Sequence, residues 1–503
     1  MIFQIHQISK IFQRLIISIV LITFSSFQLL ANPNKKNKKP NVIYILCDDL
    51  GYGEVGYNGQ QLIKTPELDD LANKGMKFTN HYCGNAVCAP SRASLLMGKH
   101  PGHAYIRSNS PGYPDGQTPI PAESETLGKL MQRAGYKTAC IGKWGLGGFN
   151  NSGNPNKQGF DLFYGYTDQR KAHNYYPKYL WLNGEKQMLD NNNGHQNEYS
   201  HDLFTEKALG YIKENKDHPF FLYLAYTIPH LQWQVPDYKQ YENKDWPKNM
   251  KIQAAMISRM SKDVGRLSNL LERLKLDEKT LIMFSSDNGA HGKGETLQFF
   301  KSSGNLRGKK RDMYDGGVRS PTFAYWPGTI EEGKVSDHIS AFWDVLPTLS
   351  ELTGEPIIGK SDGISILPTL FGNSNNQKKH THLYWELYES KPNCAVRYGE
   401  WKAVVNDRRK GYNIELYNIK EDEKEENNLA NKHPEVLEKI RKLMISSHVK
   451  NDFWDIDFSP LYNAEAACNY NGVEPDVSYP WYKPQKKIIN DKSFKTYNLI
   501  ILS

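Results

Sequence analysis

Four short apolar runs, at residues 42–46, 138–141, 220–225 and 281–285, are each followed within five residues by polar side chains. Runs this short and this apolar are the signature of strands buried on both faces. Helix-spaced patterns lie between them. One covers 66–74, with Pro66 in its first turn. A second carries Leu127, Leu130, Met131 and Ala134, and Gly135 stops it. In a third, Met256, Met260, Val264, Leu267, Leu271 and Leu274 mark one face of a long amphipathic helix. Strands alternating with helices predict an α/β fold with a mainly parallel sheet between helices. The composition shifts at Gly372, where residues 372–380 read as a linker. Beyond it, β-like segments at 383–387 and 401–405 precede one helix at 434–444. The expected organisation is a catalytic domain over 41–372 and a small α+β C-terminal domain with an antiparallel sheet over 373–503.

The N-terminal residues form a separate unit. Residues 1–31 hold no acidic side chain, and Lys10 and Arg14 flank the start of an apolar run that ends near Phe24. Leu29-Leu30-Ala31 supplies a small-residue cleavage site. This is the order of a secretory signal peptide, and the run is short for a permanent anchor. The expectation is an exported protein, periplasmic or secreted, with a disordered tail over 32–40 and no transmembrane segment. Removing Lys10 and Arg14 takes the formal charge from +8 to +6. That balance suits an anionic substrate and gives no reason to expect nucleic acid. Six cysteines permit disulfides in an exported chain but are too few for a disulfide scaffold.

In open α/β sheets, sites lie beyond the carboxyl ends of strands. Four polar clusters fall there: Asp48-Asp49, Gly142-Lys143-Trp144, Pro229-His230 and Asp287-Asn288-Gly289. Any one of them is more often a cap or a turn. Together, Asp48, Asp49, Asp287 and Asn288 offer only oxygen ligands, which suit calcium or magnesium better than zinc. Adjacent aspartates also repel unless a cation sits between them. The sharpest signal is Cys88-Ala89-Pro90-Ser91-Arg92, before a short helix predicted over 91–97. By composition, a fixed Cys-x-Pro-Ser-Arg is expected in a chain this long on the order of one time in a thousand.

Cys88-Ala89-Pro90-Ser91-Arg92-Ala93-Ser94, followed by Leu96-Met97-Gly98, resembles the signature of the type I, formylglycine-dependent sulfatases of the alkaline phosphatase superfamily. Asp48-Asp49-Leu50-Gly51-Tyr52-Gly53 and Asp287-Asn288-Gly289 resemble the family's two metal motifs. Leu306-Arg307-Gly308-Lys309-Lys310, running on to Asp315-Gly316-Gly317, is similar to the segment with the second sulfate-binding lysine. Glu415-Leu416-Tyr417-Asn418 with Asn428-Leu429-Ala430 resembles the family's C-terminal domain. The resemblance runs from Asn41 to about His448. It implies a sulfuric ester hydrolase with an alkaline-phosphatase-like core. A maturation enzyme would oxidise Cys88 to 3-oxoalanine (Cα-formylglycine), whose hydrate supplies the nucleophile. Calcium would be held by Asp48, Asp49, Asp287 and Asn288 together with residue 88. Arg92 would hold the hydrated residue, Lys143 and Lys309 would bind sulfate oxygens, and His230 would protonate the leaving alcohol. Lys310, adjacent to Lys309, leaves the second lysine open by one position.

One departure stands out. Many family members read Gly-Lys-Trp-His after the middle strand, where this chain reads Gly142-Lys143-Trp144-Gly145. His173, in Ala172-His173-Asn174-Tyr175-Tyr176-Pro177, is the proposed replacement base or a substrate contact. His103 and Arg107, after the signature helix, are further substrate candidates. Tyr175, Tyr176, Trp181 and Trp233 can stack on sugar rings, although packing is the commoner use of such residues. The variant motif resembles bacterial polysaccharide sulfatases, which implies a sulfated galactose or N-acetylgalactosamine in a marine or host polysaccharide. The rival readings are a phosphonate or phosphodiester hydrolase of the same superfamily and a non-catalytic glycan-binding homologue.

Overall fold

The structure, a computed structural model, describes residues 39–109, 118–292, 294–389, 393–407 and 413–451. The expected signal segment, all but the end of the 32–40 tail, and Cys468 lie outside the described residues.

The strands are β1 (Asn41–Cys47), β2 (Met76–Phe78), β3 (His81–Tyr82), β4 (Lys137–Lys143), β5 (Leu162–Tyr166), β6 (Tyr179–Leu182), β7 (Glu185–Met188), β8 (Phe220–Ala225), β9 (Thr280–Ser286), β10 (Thr322–Tyr325), β11 (Lys334–Ser336), β12 (Ser340–Ala341), β13 (Leu383–Leu387), β14 (Asn393–Tyr398), β15 (Trp401–Val405) and β16 (Ile414–Asn418). Ten of them form one sheet in the order β11-β2-β10-β9-β1-β8-β4-β5-β6-β7. The centre, β9-β1-β8-β4-β5, is parallel throughout. β10 and β6 run antiparallel on its two flanks. The four predicted strands are the four innermost neighbours β9, β1, β8 and β4. β5 carries a mid-strand glycine, and its apolar character was too weak to read as a strand.

Burial on both faces follows from the pleat. Val42, Tyr44 and Leu46 of β1 enter one core, and Ile43, Ile45 and Cys47 enter the other. The second core is covered by α1 (Pro66–Lys74), α4 (Ser200–Glu214) and α5 (Lys248–Arg273). The first is covered by α2 (Cys88–Met97), α3 (Leu127–Arg133) and a helix at Val345–Thr353. The predicted amphipathic stripe of α5 is buried from Met256 to Leu271. One boundary shifts with consequence: α2 begins at Cys88, not at residue 91, with Val87 as its extended N-cap.

β13-β14-β15-β16 form the expected antiparallel C-terminal sheet. Its alternation serves two cores. Leu383, Trp385 and Leu387 pack with α2 and α3, whereas Tyr384, Cys394 and Val396 pack under the helix Pro434–Ser447. Five cysteines, Cys47, Cys83, Cys88, Cys140 and Cys394, are buried free thiols. Among the described residues, no helix is long and apolar enough to cross a membrane.

A fully buried charge joins the C-terminal sheet to the segment that leads into β10. Lys402 of β15 donates to Asp315 and lies 3.2 Å from Glu425. Burial raises the Glu425 pKa to about 7 against the pull of Lys402, whereas Lys402 and Arg319 overcome burial to hold Asp315 low. Removing one partner of a buried charge set strands the others. Lys402→Met is therefore expected to lower stability by about 3–5 kcal/mol, measured by equilibrium urea unfolding; a loss below about 1 kcal/mol would contradict this account.

Candidate active site

The parallel strands deliver side chains to one edge of the sheet. Asp48 and Asp49 follow β1, Lys143 ends β4, His230 follows β8, and Asp287 and Asn288 follow β9. Cys88 is brought to them by α2. It is 1% exposed, and its Sγ lies 3.2 Å from Asp48 Oδ1 and 3.9 Å from Asp49 Oδ1. Asp49 holds a left-handed backbone at φ 68°, a conformation that costs a non-glycine residue energy and that clusters at functional sites.

Three buried carboxylates face three buried cations. Arg92 donates through Nε and Nη2 to Asp287 Oδ2, at 3.0 and 2.7 Å, and through Nη1 to the Lys143 carbonyl at 2.9 Å. Lys143 Nζ donates to Asp48 Oδ2 at 2.6 Å. Lys310 Nζ donates to both oxygens of Asp49, at 2.7 and 2.9 Å, and lies 3.4 Å from Cys88 Sγ. Burial works against the Asp48 carboxylate, but Lys143, His230 and Arg92 outweigh it and hold its pKa low. Asp49 is held low in the same way by His230 and Lys310. Asp287 has the opposite balance: burial and the neighbouring Asp48 raise it to about 7 despite Arg92.

Burial and Asp48 push the Cys88 thiol well above its usual pKa, against Lys143 and Lys310. The thiolate is the nucleophilic form of cysteine, so the unmodified side chain is a poor nucleophile here.

Asp48, Asp49, Cys88 and His230 present ligand atoms within 4.8 Å of one another. Asn288 donates Nδ2 to Asp49 Oδ1 at 2.7 Å, and its buried Oδ1 has no hydrogen-bond partner. An orphaned buried acceptor beside clustered carboxylates fits a hard divalent cation.

A cavity of about 360 Å³ opens over Cys88, lined among others by Gln169, His173, His230, His291 and Lys310. His173 stacks on His230, with ring centroids 3.8 Å apart and an interplanar angle of 14°. Burial lowers both, His173 to about 3 and His230 to about 4. His230 Nε2 and His291 Nδ1 each lie 3.3 Å from Asp49 Oδ2.

Three expectations need correction. Lys309 is exposed, and the lysine at Cys88 is Lys310, whose backbone N–H is anchored on the Ala290 carbonyl at 3.0 Å. Arg107 is buried away from the cavity, pairing with Glu386 at 2.6 Å and donating to the Ala104 carbonyl. His103 also lies outside it, bonded through Nδ1 to Asp362 at 2.9 Å. His100 and His103 do cluster with Asp362 at ligand-like spacing. However, His100 Nδ1 accepts from the Gly102 N–H, so its own proton sits on Nε2 facing Asp362 and leaves no lone pair for a metal. The aromatic residues mostly pack: Tyr175 donates to the Thr227 and His230 carbonyls, and Trp181 packs on Phe149.

Several lining residues had no role in the sequence reading, His291 and Gln169 among them. His291 stands three positions after Asn288, close enough to be noticed. Gln169 follows β5, and the unread strand hid it.

Residues 40–355 match the Sulfatase family model, and residues 308–450 match the model for the N-sulphoglucosamine sulphohydrolase C-terminal region. An N-acetylgalactosamine-6-O-sulfatase of Bacteroides thetaiotaomicron is 28% identical, over 85% of this chain and 97% of its own. Human arylsulfatase A is 32% identical, over 73% of this chain and 75% of its own. Among solved structures, Ps i-CgsB in complex with k-i-k-neocarrahexaose superposes with a TM-score of 0.71 at 27% identity, covering 86% of this chain and 98% of that one. A 6S-sulfatase from the glycosaminoglycan metabolism of B. thetaiotaomicron gives a TM-score of 0.70 at 25% identity, covering 81% and 99%. With a family model spanning well over half its length and the cysteine signature at the head of α2, the chain belongs to the sulfatase family and is a sulfuric ester hydrolase.

Proposed function

We propose that this sulfatase removes sulfate from a galactose or N-acetylgalactosamine unit of a polysaccharide, using formylglycine formed at Cys88 and a bound calcium ion. The observation that carries the reading is Cys88 itself: a buried, protonated thiol at the first turn of a helix, between Asp48 and Lys310, at the floor of a cavity lined by imidazoles. Such a thiol is chemically idle as it stands. Its conversion by a maturation enzyme to an aldehyde supplies a hydrated nucleophile that can later expel sulfate, which a serine cannot do.

The residues that would hold calcium are Asp48, Asp49, Asp287 and Asn288, and when bound the ion polarises sulfate oxygens and the hydrated residue 88. In its absence the three carboxylates balance Arg92, Lys143 and Lys310, so the added charge leaves the site positive. A singly charged sulfate ester anion would then offset half of that added charge. Lys143 and Lys310 are the proposed partners of the sulfate oxygens, where charge grows as the S–O bond breaks. Arg92 is tied to Asp287 and to the Lys143 carbonyl, and so orients both. His230 is the proposed donor to the leaving alcohol, with its ring held by stacking on His173. The sugar assignment is supported by the N-acetylgalactosamine-6-O-sulfatase and by the carrageenan-oligosaccharide complex among the similar proteins.

Sulfate release from defined sulfated galactose and N-acetylgalactosamine oligosaccharides, by matured enzyme, tests the reading. Cys88→Ala and exhaustive chelation are each expected to abolish it, and no release from any such substrate would refute the sugar assignment. Lys310→Ala is expected to lower kcat/KM by about 100-fold or more, while Lys309→Ala stays within about twofold; equal effects would undo the one-residue correction. A general acid matters most for a poor leaving group. His230→Ala should therefore cost about 100-fold or more on a sugar sulfate and much less on 4-nitrophenyl sulfate, and equal losses would assign His230 another role.

A further inference from the structure

Gly145 lies just past the end of β4, and the space beside it is filled. An ideal Cβ on Gly145 would lie 2.0 Å from Gln169 Nε2 and 2.9 Å from Gln169 Cδ. The backbone there is also left-handed, at φ 78°, which favours glycine. A side chain at position 145 and Gln169 as it stands are mutually exclusive.

Two features hold the backbone around Gln169 in place, and a third sets its surroundings. The pairing of β4 with β5 matches Lys143 to Tyr166 and continues past both strands, with Trp144 N–H donating to the Tyr166 carbonyl at 2.9 Å and Gly145 N–H to the Thr167 carbonyl at 3.2 Å. Asp168 Oδ1 accepts from the N–H groups of Arg170 and Lys171, at 2.7 and 3.0 Å, and closes the turn that carries residue 169. Gln169 is 5% exposed and lines the same cavity as Cys88, His173, His230 and Lys310. Yet its Nε2 is buried with no hydrogen-bond partner. A buried and unsatisfied donor is unfavourable in the free protein and calls for a partner.

We propose that the Gln169 carboxamide is a sulfate-binding group, donating N–H to an oxygen of the substrate sulfate from the side that a residue-145 side chain would otherwise occupy. The inference rests on the sulfatase reading of the Cys88 site. An anion selects the N–H edge whichever way the amide is turned. A carboxamide neither takes up nor releases a proton near neutral pH. Gln169 can therefore hold an anion but cannot move a proton.

The test uses matured full-length enzyme and two variants, Gln169→Met, which fills the space without a donor, and Gln169→Glu, which keeps the shape but adds an anion. Gln169→Met is expected to lower kcat/KM on a sulfated sugar by about 10- to 100-fold. It should raise the inhibition constant of inorganic sulfate by a similar factor, with the shape of the pH profile and the melting temperature unchanged. Gln169→Glu is expected to lose more activity and all measurable inhibition by sulfate. A Gln169→Met enzyme within threefold of the parent in both constants overturns the proposal. So does one that loses turnover while keeping its sulfate inhibition constant, because that is a packing effect. Cys88→Ala runs in parallel: loss of turnover there beside an unaffected Gln169→Met rejects Gln169 alone, whereas retained turnover in Cys88→Ala rejects the reading of the whole site.

Discussion

The charge balance beyond the ends of β1 and β9 governs this structure. Asp48, Asp49 and Asp287 are buried within contact of one another, which is unfavourable unless opposite charge is fixed beside them. Arg92 from α2, Lys143 from β4 and Lys310 from the segment before Asp315 supply it. Each cation comes from a different part of the chain, so the cluster also fixes how those parts meet. The Arg92 bonds to Asp287 and to the Lys143 carbonyl set the head of α2 against two strand ends at once. Cys88, one helical turn before Arg92, is thereby placed over Asp48.

The chemistry follows from this placement. A buried thiol beside Asp48 resists ionisation, so unmodified Cys88 is a poor nucleophile. The same carboxylates, with the unpartnered Asn288 oxygen, form a hard-ligand set. The stacked pair His173 and His230, with His291 against the same Asp49 oxygen as His230, lines one wall of the cavity with imidazoles. Lys143 and Lys310 provide the fixed charge, and Gln169 adds a neutral donor.

Sites of this kind are legible in a sequence as far as they ride on strong local patterns. Asp48, Lys143, His230 and Asp287 could be named because each follows an apolar run that can hardly be anything but a buried strand. Cys88 and Arg92 could be named because they share a motif. Where local pattern weakens, assignment fails. Lys309 and Lys310 are adjacent, and nothing in their neighbours tells which one turns inward; that is decided by the backbone hydrogen bond from Lys310 to Ala290. His103 and Arg107 look available in sequence because Asp362 and Glu386, 259 and 279 residues away, cannot be seen to claim them. Gln169 was hidden because β5, Leu-Phe-Tyr-Gly-Tyr, does not announce itself as a strand.

The sequence by itself determined the fold class and the family and singled out Cys88, because apolar periodicity and a five-residue motif are local properties. Tertiary structure decided which groups surround that residue. Only the register of β4 against β5 brings Gln169 to Gly145, and only the meeting of α2, β4 and the segment before Asp315 at the strand ends sets three cations against three carboxylates. Those are relations between separate segments of the chain, and their energies exist only once the chain has closed around them.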